Sequence, residues 1–506
     1  MVTPVKKNTI ANLIGANWPN LLGLVLLPAY IHFLGIEAYG VVGFFWSLQG
    51  IFGLLDAGMS ATLNREFARY SAQDGRGQDK HDLLRTLEAL YWPLSLMGGI
   101  LLLLLAPAIS GHWINPQGLS RTAIENSFYL MGVAIALQMP SSLYQGGLMG
   151  LQRQVLLNSA LVVLATFRGL GAVLILWKVS PTVEAFFTWH VVVSGVQVLT
   201  MRMLLRGGLP ETGKRPVFRR DLLGEVWRYA AYISGNSVVG VILTQADKLI
   251  LIRILSLEHF GYYMLAWSVA ASLWAIILPI NTALFPQFVQ LFERREEYDI
   301  VNLFHHASQV ISVAIIPIGM LLILFSREIL LLWTRNPVIA DNAHLLVSLL
   351  VLGVTLNGMC SVPSYMSAAF GWPQLVMYVN FGQAIVLFPA IVFAASRYGA
   401  VGAAAIWVIM NSTYMFAMMP ILFRRYLRKE KWKWYLLDVG RPLTGAVAAG
   451  IVMLRLLPHQ LSPCVTATYL LSTLALMTAI SILLAPTVRT WVGKVVLGLW
   501  RHHGSY

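Results

Sequence analysis

Apolar stretches of bilayer-crossing length recur along the whole chain. They lie near 10–33, 38–62, 86–108, 123–146, 155–177, 182–203, 229–252, 260–285, 305–325, 343–368, 373–395, 400–422, 442–457 and 465–485. A helix needs roughly 20 such residues to cross the hydrocarbon, so the pattern predicts fourteen transmembrane helices. The other architecture that lipid permits is a closed barrel, built from alternating strands of about 10 residues. Runs such as Ile100-Leu101-Leu102-Leu103-Leu104-Leu105 do not alternate and exclude it. Lys6 and Lys7 before an apolar run could mark a signal peptide. That run, however, reaches Leu34, carries Asn12, Asn17 and Asn20, and precedes thirteen more spans, so an uncleaved first helix is expected.

The loops are short; the longest gaps, near 63–85 and 204–228, leave no room for an extramembrane catalytic domain. With the N-terminus inside, 27 of the 36 Lys and Arg residues fall on inner segments and 8 on outer ones. By the positive-inside rule both termini are expected in the cytoplasm. The net charge of +14 is therefore a topology signal, and nucleic acid is not an expected partner. Composition agrees: 57% of 506 residues are hydrophobic, 11% are charged, and the mean hydropathy is +0.68. Soluble domains carry about 25% charged residues, which excludes a cytosolic enzyme, a disordered chain and a secreted disulfide scaffold. Cys360 and Cys464 have no metal-site or disulfide spacing, so neither metal nor cofactor is expected.

An internal repeat emerges at a shift of 221 residues. Phe33-Leu34-Gly35-Ile36-Glu37-Ala38-Tyr39-Gly40 then faces Ile254-Leu255-Ser256-Leu257-Glu258-His259-Phe260-Gly261, Trp46-Ser47 faces Trp267-Ser268, and Lys7 faces Arg228. The shift moves the first helix pair onto the seventh and eighth, an even number of crossings, so the repeat is parallel about an axis along the membrane normal. The expected architecture is all-α: a six-helix lobe at 1–206, a cytoplasmic linker at 207–228, a second six-helix lobe at 229–425, a basic interfacial segment at 426–441, two further helices at 442–485 and a tail at 486–506. In that tail Val488, Trp491, Val492, Val495, Val496 and Leu499 fall at helical spacing, apart from Arg489, Lys494 and Arg501, as in a helix lying on the membrane.

Ionisable and polar residues within spans carry the functional signal, because they are costly in lipid. Arg168 stands about 13 residues into the fifth span, roughly 20 Å deep. A guanidinium there lines a cavity for a phosphate-bearing substrate, or else pairs with a neighbouring helix or snorkels. Asn8, Asn12 and Asn20 share one face of the first helix, with Asn17 beside them and Pro19 and Pro28 inviting a bend. Gln138, Ser141, Ser142 and Gln145 form a polar stripe on the fourth, and Asn357, Ser361 and Ser364 on the tenth. These stripes read as a shared hydrophilic cavity or as interhelical hydrogen bonds. Asp56, in Leu54-Leu55-Asp56-Ala57-Gly58, is a candidate to carry a proton or ion, or to pair with Arg65. Asp247 and Lys248 lie near the outer end of the seventh span, as coupling and gate charges or as interfacial residues. His190 reads as structural. Spans eight to twelve hold no Lys, Arg, Asp or Glu in their cores.

Phe33 to Gly40, followed by Leu54-Leu55-Asp56-Ala57-Gly58 with Arg65 and Arg69, resembles the start of the polysaccharide repeat-unit flippases, the O-antigen and exopolysaccharide transporters. Asp247-Lys248-Leu249-Ile250 with Gly261-Tyr262-Tyr263 resembles the start of their second half. The likeness covers about 5–430, with Ser256 standing where a glycine is usual. It implies the fold of the multidrug/oligosaccharidyl-lipid/polysaccharide exporter superfamily and a bacterial inner membrane. It also implies an undecaprenyl-diphosphate-linked oligosaccharide as cargo, and alternating access driven by a proton or sodium gradient. On that reading Arg168 holds the diphosphate, Arg65 or Lys248 serves as a gate charge, Asn17, Asn20, Gln138 and Gln145 line the sugar path, and Asp56 and Asp247 couple the ion. Expected partners are the lipid-linked oligosaccharide and membrane lipids, with a polysaccharide polymerase and a chain-length regulator as further candidates. The extra helix pair is similar in count to that of the lipid II flippases, where it is linked to lipid-tail binding. Two alternatives stand beside this: a cation-coupled multidrug exporter of the same superfamily, and a membrane glycan polymerase or ligase.

Overall fold

The computed structural model describes residues 4–458 and 462–503. The side chains of 4–11, 13, 14, 16, 222–237, 239 and 495–503 fall outside that description, and with them Asn8, the Lys7–Arg228 repeat pair, and Val495, Val496, Leu499 and Arg501 of the tail stripe. Among the described residues every regular element is a helix. Ten helical segments among the described residues are long and apolar enough to cross a membrane, and the chain is a multi-pass membrane protein. A helix satisfies its own backbone N–H and C=O groups, which is what lets a single segment enter lipid. The fourteen expected spans do not separate into fourteen such segments. The stretch Gln374–Tyr426 runs through two of them, turning at Gly399 (φ 61°), a left-handed conformation that costs glycine nothing.

The chain divides into two compact units, Met1–Met264 and Leu265–Tyr506. The first holds α1 (Pro4–Leu34), α2 (Ile36–Phe52), α3 (Met59–Ser71), α4 (Gly77–Ala108), α5 (Arg121–Gly150), α6 (Gln154–Lys178), α7 (Val183–Arg206), α8 (Arg220–Ile254) and the start of α9 (Leu257–Ala271). Helix α5 is central, packed on α3, α4 and α7, and α1 runs along α6. The α1–α6 seam is stitched by polar groups. Asn158 Nδ2 donates to Asn12 Oδ1 (2.6 Å), Trp18 Nε1 to Thr166 Oγ1 (2.8 Å), and the Tyr30 hydroxyl to the Gly169 carbonyl (3.2 Å).

The span expected at 38–62 is broken. A short 3₁₀ turn at Gly53–Asp56 ends it, and Ala57 and Gly58 follow with φ of 46° and 75°. Asp56 then accepts the Ser60 N–H at 3.3 Å, reaching into the first turn of α3. Apolar content alone concealed this break, since Leu54 and Leu55 continue the hydrophobic run into the turn. The linker after α7 is strapped along α4: Asp82 accepts the Val217 N–H (2.9 Å), Thr86 Oγ1 the Arg219 N–H (2.9 Å), and His81 Nε2 lies 2.9 Å from the Pro210 carbonyl.

The internal repeat becomes a pseudo-twofold contact between α2 and α9. A Cβ placed on Gly40 would meet the Leu257 carbonyl at 2.8 Å, and one on Gly261 would press closer still on the Ile36 carbonyl. Those are the same two positions exchanged by the 221-residue shift, as in an isologous interface. Next to them Gly43 faces Met264, its own repeat partner, and Phe44 meets Phe260 edge to face at 6.4 Å. Small residues allow backbones to approach this closely in lipid.

The second unit holds α10 (Trp274–Arg294), α11 (Glu297–Leu324), α12 (Ser326–Thr334), α13 (Pro337–Met359), α14 (Ser361–Ala369), α15 (Gln374–Thr413), α16 (Met419–Tyr426), α17 (Lys431–Lys433), α18 (Arg441–Arg455), α19 (Pro463–Leu484) and α20 (Pro486–His503). Helix α11 is its centre, packed on α10, α13, α18 and α19. The polar stripe at 357–364 closes on neighbouring helices: Asn357 Nδ2 donates to Asn411 Oδ1 (2.7 Å) and Asn281 Nδ2 to Ser361 Oγ (2.8 Å). The basic aromatic run at 424–434 is surface only in part. Trp432 is exposed, whereas Trp434 is fully buried against Phe423 and Tyr435. Likewise, α20 presents Trp491 outward but buries Val488 against Val313 and Ala485.

The α2–α9 crossing yields a stability prediction. Gly261→Ala should lower the melting temperature in detergent, at a cost of about 1–3 kcal/mol for overpacking. Gly382→Ala, with no atom near its Cβ direction, should leave it unchanged or slightly raised. Thermal denaturation of the two variants beside the parent checks this.

Candidate functional site

Arg168 sits roughly 20 Å along α6. One of its Nη groups donates to Gln197 Oε1 on α7. The Trp189 indole donates to the Arg168 carbonyl at 3.0 Å. Among the described residues no carboxylate pairs with the guanidinium, and its Nε is buried without a hydrogen-bond partner. A buried N–H left unmade costs about 1–3 kcal/mol, more on a charged group.

The arginine anchors a chain of amides and hydroxyls through the first unit. Gln197 Nε2 donates to Ser141 Oγ on α5 (3.2 Å), which also accepts Gln145 Nε2 (3.4 Å) and donates to the Gln138 carbonyl (2.6 Å). Gln49 Nε2 on α2 donates to Gln138 Oε1 at 2.5 Å. Four helices thus contribute to one polar network. Of the residues singled out in the sequence, Arg168, Gln138 and Gln145 meet in it. Gln49 and Gln197 escaped notice; the latter's signal was a lone amide in the apolar run Val191-Val192-Val193-Ser194-Gly195-Val196-Gln197-Val198. His190 is packed among Phe45, Phe186 and Phe187, with Nδ1 3.0 Å from the Phe186 carbonyl, the structural role read from the sequence.

Asp56 and Asp247 find partners outside the network. Asn17, half-buried, and Asn20, exposed, stand on α1, and neither is unpartnered. Arg65 is half-exposed on α3 and lies 3.9 Å from Glu66, which also holds Arg69 at 3.0 Å. Asp56 pairs with hydroxyls, accepting from Ser60 Oγ and from Tyr91 (2.7 Å). Asp247 and Lys248 are buried inside the unit: Lys248 Nζ lies 3.0 Å from Asp247 Oδ1 and 2.5 Å from the Thr244 carbonyl, while Tyr263 donates to Asp247 Oδ2 at 2.7 Å.

Two further carboxylates act that no spacing announced. Glu88 on α4 is buried and held by Tyr144 (2.8 Å), Arg202 (3.3 Å) and Arg206 (3.2 Å). Glu37 accepts three consecutive backbone N–H groups, from Gln117 (2.5 Å), Gly118 (2.8 Å) and Leu119 (3.2 Å). Asn115 in the same loop accepts the Leu257 N–H at 2.9 Å and donates to the Arg253 carbonyl at 2.9 Å. The glutamate of the repeat motif is thus a loop anchor. No group of three or more metal-ligating side chains converges among the described residues.

Residues 5–292, more than half of the chain, match the family described as "Polysaccharide biosynthesis protein". The chain belongs to this family. Residues 233–393 also match the family MatE. A Shigella flexneri protein named "Putative O-antigen transporter" is 21% identical over 404 residues, spanning 80% of this chain and 94% of its own length. Among solved structures, the lipid II flippase MurJ in an inward closed conformation superposes with a TM-score of 0.69 at 12% identity, covering 96% of this chain and 99% of its own. An inward-facing multidrug resistance MATE family transporter of the MOP superfamily gives 0.68 at 16% identity, covering 85% and 99%. The fold is the one these solved structures share.

The polar chain makes Gln197 a support for Arg168. Gln197→Leu should cost about 1–3 kcal/mol by leaving both Arg168 and Ser141 short of a partner, measured as a fall in melting temperature. Gln49→Leu, at the far end of the chain, should cost less.

Proposed function

We propose that this protein flips an undecaprenyl-diphosphate-linked oligosaccharide repeat unit from the cytoplasmic to the periplasmic leaflet of a bacterial inner membrane, by alternating access, for surface polysaccharide synthesis. The observation that carries the reading is Arg168, a guanidinium deep in a span with no carboxylate partner among the described residues and an unused Nε. A planar cation with free donors suits a diphosphate, which it can bind through charge-assisted hydrogen bonds. The amides and hydroxyls of Gln197, Ser141, Gln138, Gln145 and Gln49 offer sugars exchangeable hydrogen bonds. In this scheme Asn17 and Asn20 extend the polar path, Arg65 and Lys248 act as gate charges, and Asp56 and Asp247 carry the coupling ion. Each of those two carboxylates bonds a tyrosine hydroxyl whose partner strength changes with protonation. The curated relative named as an O-antigen transporter supports the cargo class. The polymerase and chain-length regulator remain the partners that the pathway calls for.

Drug export is the second reading, favoured by the MatE match over 233–393. Its cationic cargo would want an unpaired carboxylate at depth. Asp247 is instead paired with Lys248.

Arg168→Met separates function from packing. Removing the desolvated charge is favourable, whereas Gln197 Oε1 loses its donor at a cost of about 1–3 kcal/mol, so the melting temperature should move little. Glycan export in cells should fall at least about tenfold, the equivalent of 1.4 kcal/mol. Unimpaired export at normal expression would remove Arg168 from the mechanism, and drug resistance on overexpression without a glycan phenotype would favour the second reading.

The topology has its own test. With both termini cytoplasmic, the start of α19 lies at the periplasmic face. Cys464 is exposed there, whereas Cys360 is buried. A membrane-impermeant maleimide should label Cys464 in intact spheroplasts and spare Cys360 until denaturation; labelling of Cys464 only after lysis would invert the orientation.

A further inference from the structure

The second unit contains a titratable cluster that the transport reading does not use. His305, near the start of α11, places Nδ1 2.5 Å from Asp438 Oδ2 and Nε2 3.0 Å from Glu430 Oε2. Gln309, one turn on, donates to Asp438 Oδ1 at 2.8 Å. Its own Oε1 accepts both the N–H (2.9 Å) and the hydroxyl (2.7 Å) of Thr487. Lys433 stands 2.9 Å from Glu430. One cluster therefore joins α11 to the turn before α17, to the π-helical turn Trp434–Gly440 that leads into α18, and to the first turn of α20.

Hydrogen counting fixes what the cluster must hold. Both ring nitrogens face carboxylate oxygens at bonding distance, but a neutral imidazole has one N–H and one lone pair. With neutral histidine and two ionised acids, one contact would set lone pair against lone pair. The geometry is satisfied only when one extra proton is present, on the ring or on a facing carboxyl. Asp438 is 1% exposed and has no recourse to water. Burial pushes the Glu430 carboxyl up, but the hydrogen bonds and charges of Lys433 and His305 outweigh it and hold it below its ordinary value. The extra proton therefore lies in the 2.5 Å contact between the imidazole and Asp438, formally an imidazolium facing two carboxylates. The His305 side chain is 15% exposed, so it is less deeply buried than Asp438.

We propose that His305, Asp438 and Glu430 form a proton-binding site whose occupancy fastens α18 and α20 to α11. On release, the imidazolium gives its proton to solvent, and the cluster of His305, Asp438, Glu430 and Lys433 goes from formally neutral to a single negative charge. The other packed elements bring no ion pair to it among the described residues. Arg425 of α16 lies over Trp372 at 4.2 Å, His306 faces Trp491 of α20 at 6.4 Å, and Arg441 and Arg489 are exposed. The fastening is therefore complete at acidic pH and lost as pH rises through the titration of the imidazolium. Both helices it ties to α11 lie beyond the two expected six-helix lobes.

Full-length protein in lipid nanodiscs, melted across pH 5.5 to 8.5, tests this. The parent should lose melting temperature as pH rises. His305→Gln should start lower at acidic pH and lose most of that slope. Glu430→Gln removes only the partly exposed acid and should move the midpoint to lower pH by about one unit, since an opposing charge within bonding distance favours the imidazolium by at least that much. A parental slope in His305→Gln, or a parental midpoint in Glu430→Gln, would overturn the proposal. Should His305→Gln fail to fold, the Glu430→Gln midpoint decides alone.

Discussion

Hydrocarbon offers no hydrogen bonds, and the arrangement of this protein follows from that. Each polar side chain placed in a span must find a partner on another helix, reach water, or bind a ligand. Most find partners: Asn12 with Asn158, Asn357 with Asn411, Asn281 with Ser361, Asp247 with Lys248 and Tyr263. These contacts decide which helix faces meet, because lipid supplies little hydrophobic preference between one apolar face and another. Arg168 is the informative exception. Its partner is a neutral amide, and one donor is left unmade. A structural arginine would be better served by a carboxylate, so the incomplete satisfaction is what points toward a ligand.

The two halves of the sequence share geometry but not chemistry. The Gly40–Leu257 and Gly261–Ile36 approaches mirror each other, and Gly43 meets its own counterpart, Met264. The shift that pairs them also sets Asp247 and Lys248 against Leu26 and Leu27, and Arg168 against Pro389. Even the repeated glutamates diverge: Glu37 anchors a loop through three N–H groups, whereas Glu258 accepts from Tyr262 within its own helix. The repeat thus supplies a symmetric crossing of α2 and α9, and the ionisable groups break the symmetry.

The last helices are more than an appendage. The first turn of α20 is bonded through Thr487 to Gln309, and the turn before α18 through Asp438 to the same glutamine and to His305. A basic, aromatic stretch that composition would lay on the membrane surface instead buries Trp434 and uses Glu430 and Asp438 as ties. The same residues serve two environments, since Trp432 and Lys433 still face outward.

Hydropathy determined the all-helical membrane architecture, and matched residues at a fixed shift the repeat, because each depends on a property that neighbours in sequence carry together. The Arg168 signal was legible for the same reason: one charge in an apolar run is conspicuous on its own. The break at Asp56-Ala57-Gly58 was not, since apolar residues fill helix and turn alike. Nor was the company that Arg168 keeps. Gln49, Gln138 and Ser141 lie far from it in the chain, and only the packing of α2, α5, α6 and α7 brings their side chains into one network. The cluster around His305 joins residues separated by more than a hundred positions. Hydrogen bonds across helices depend on which faces meet and at what depth, and that is decided in three dimensions.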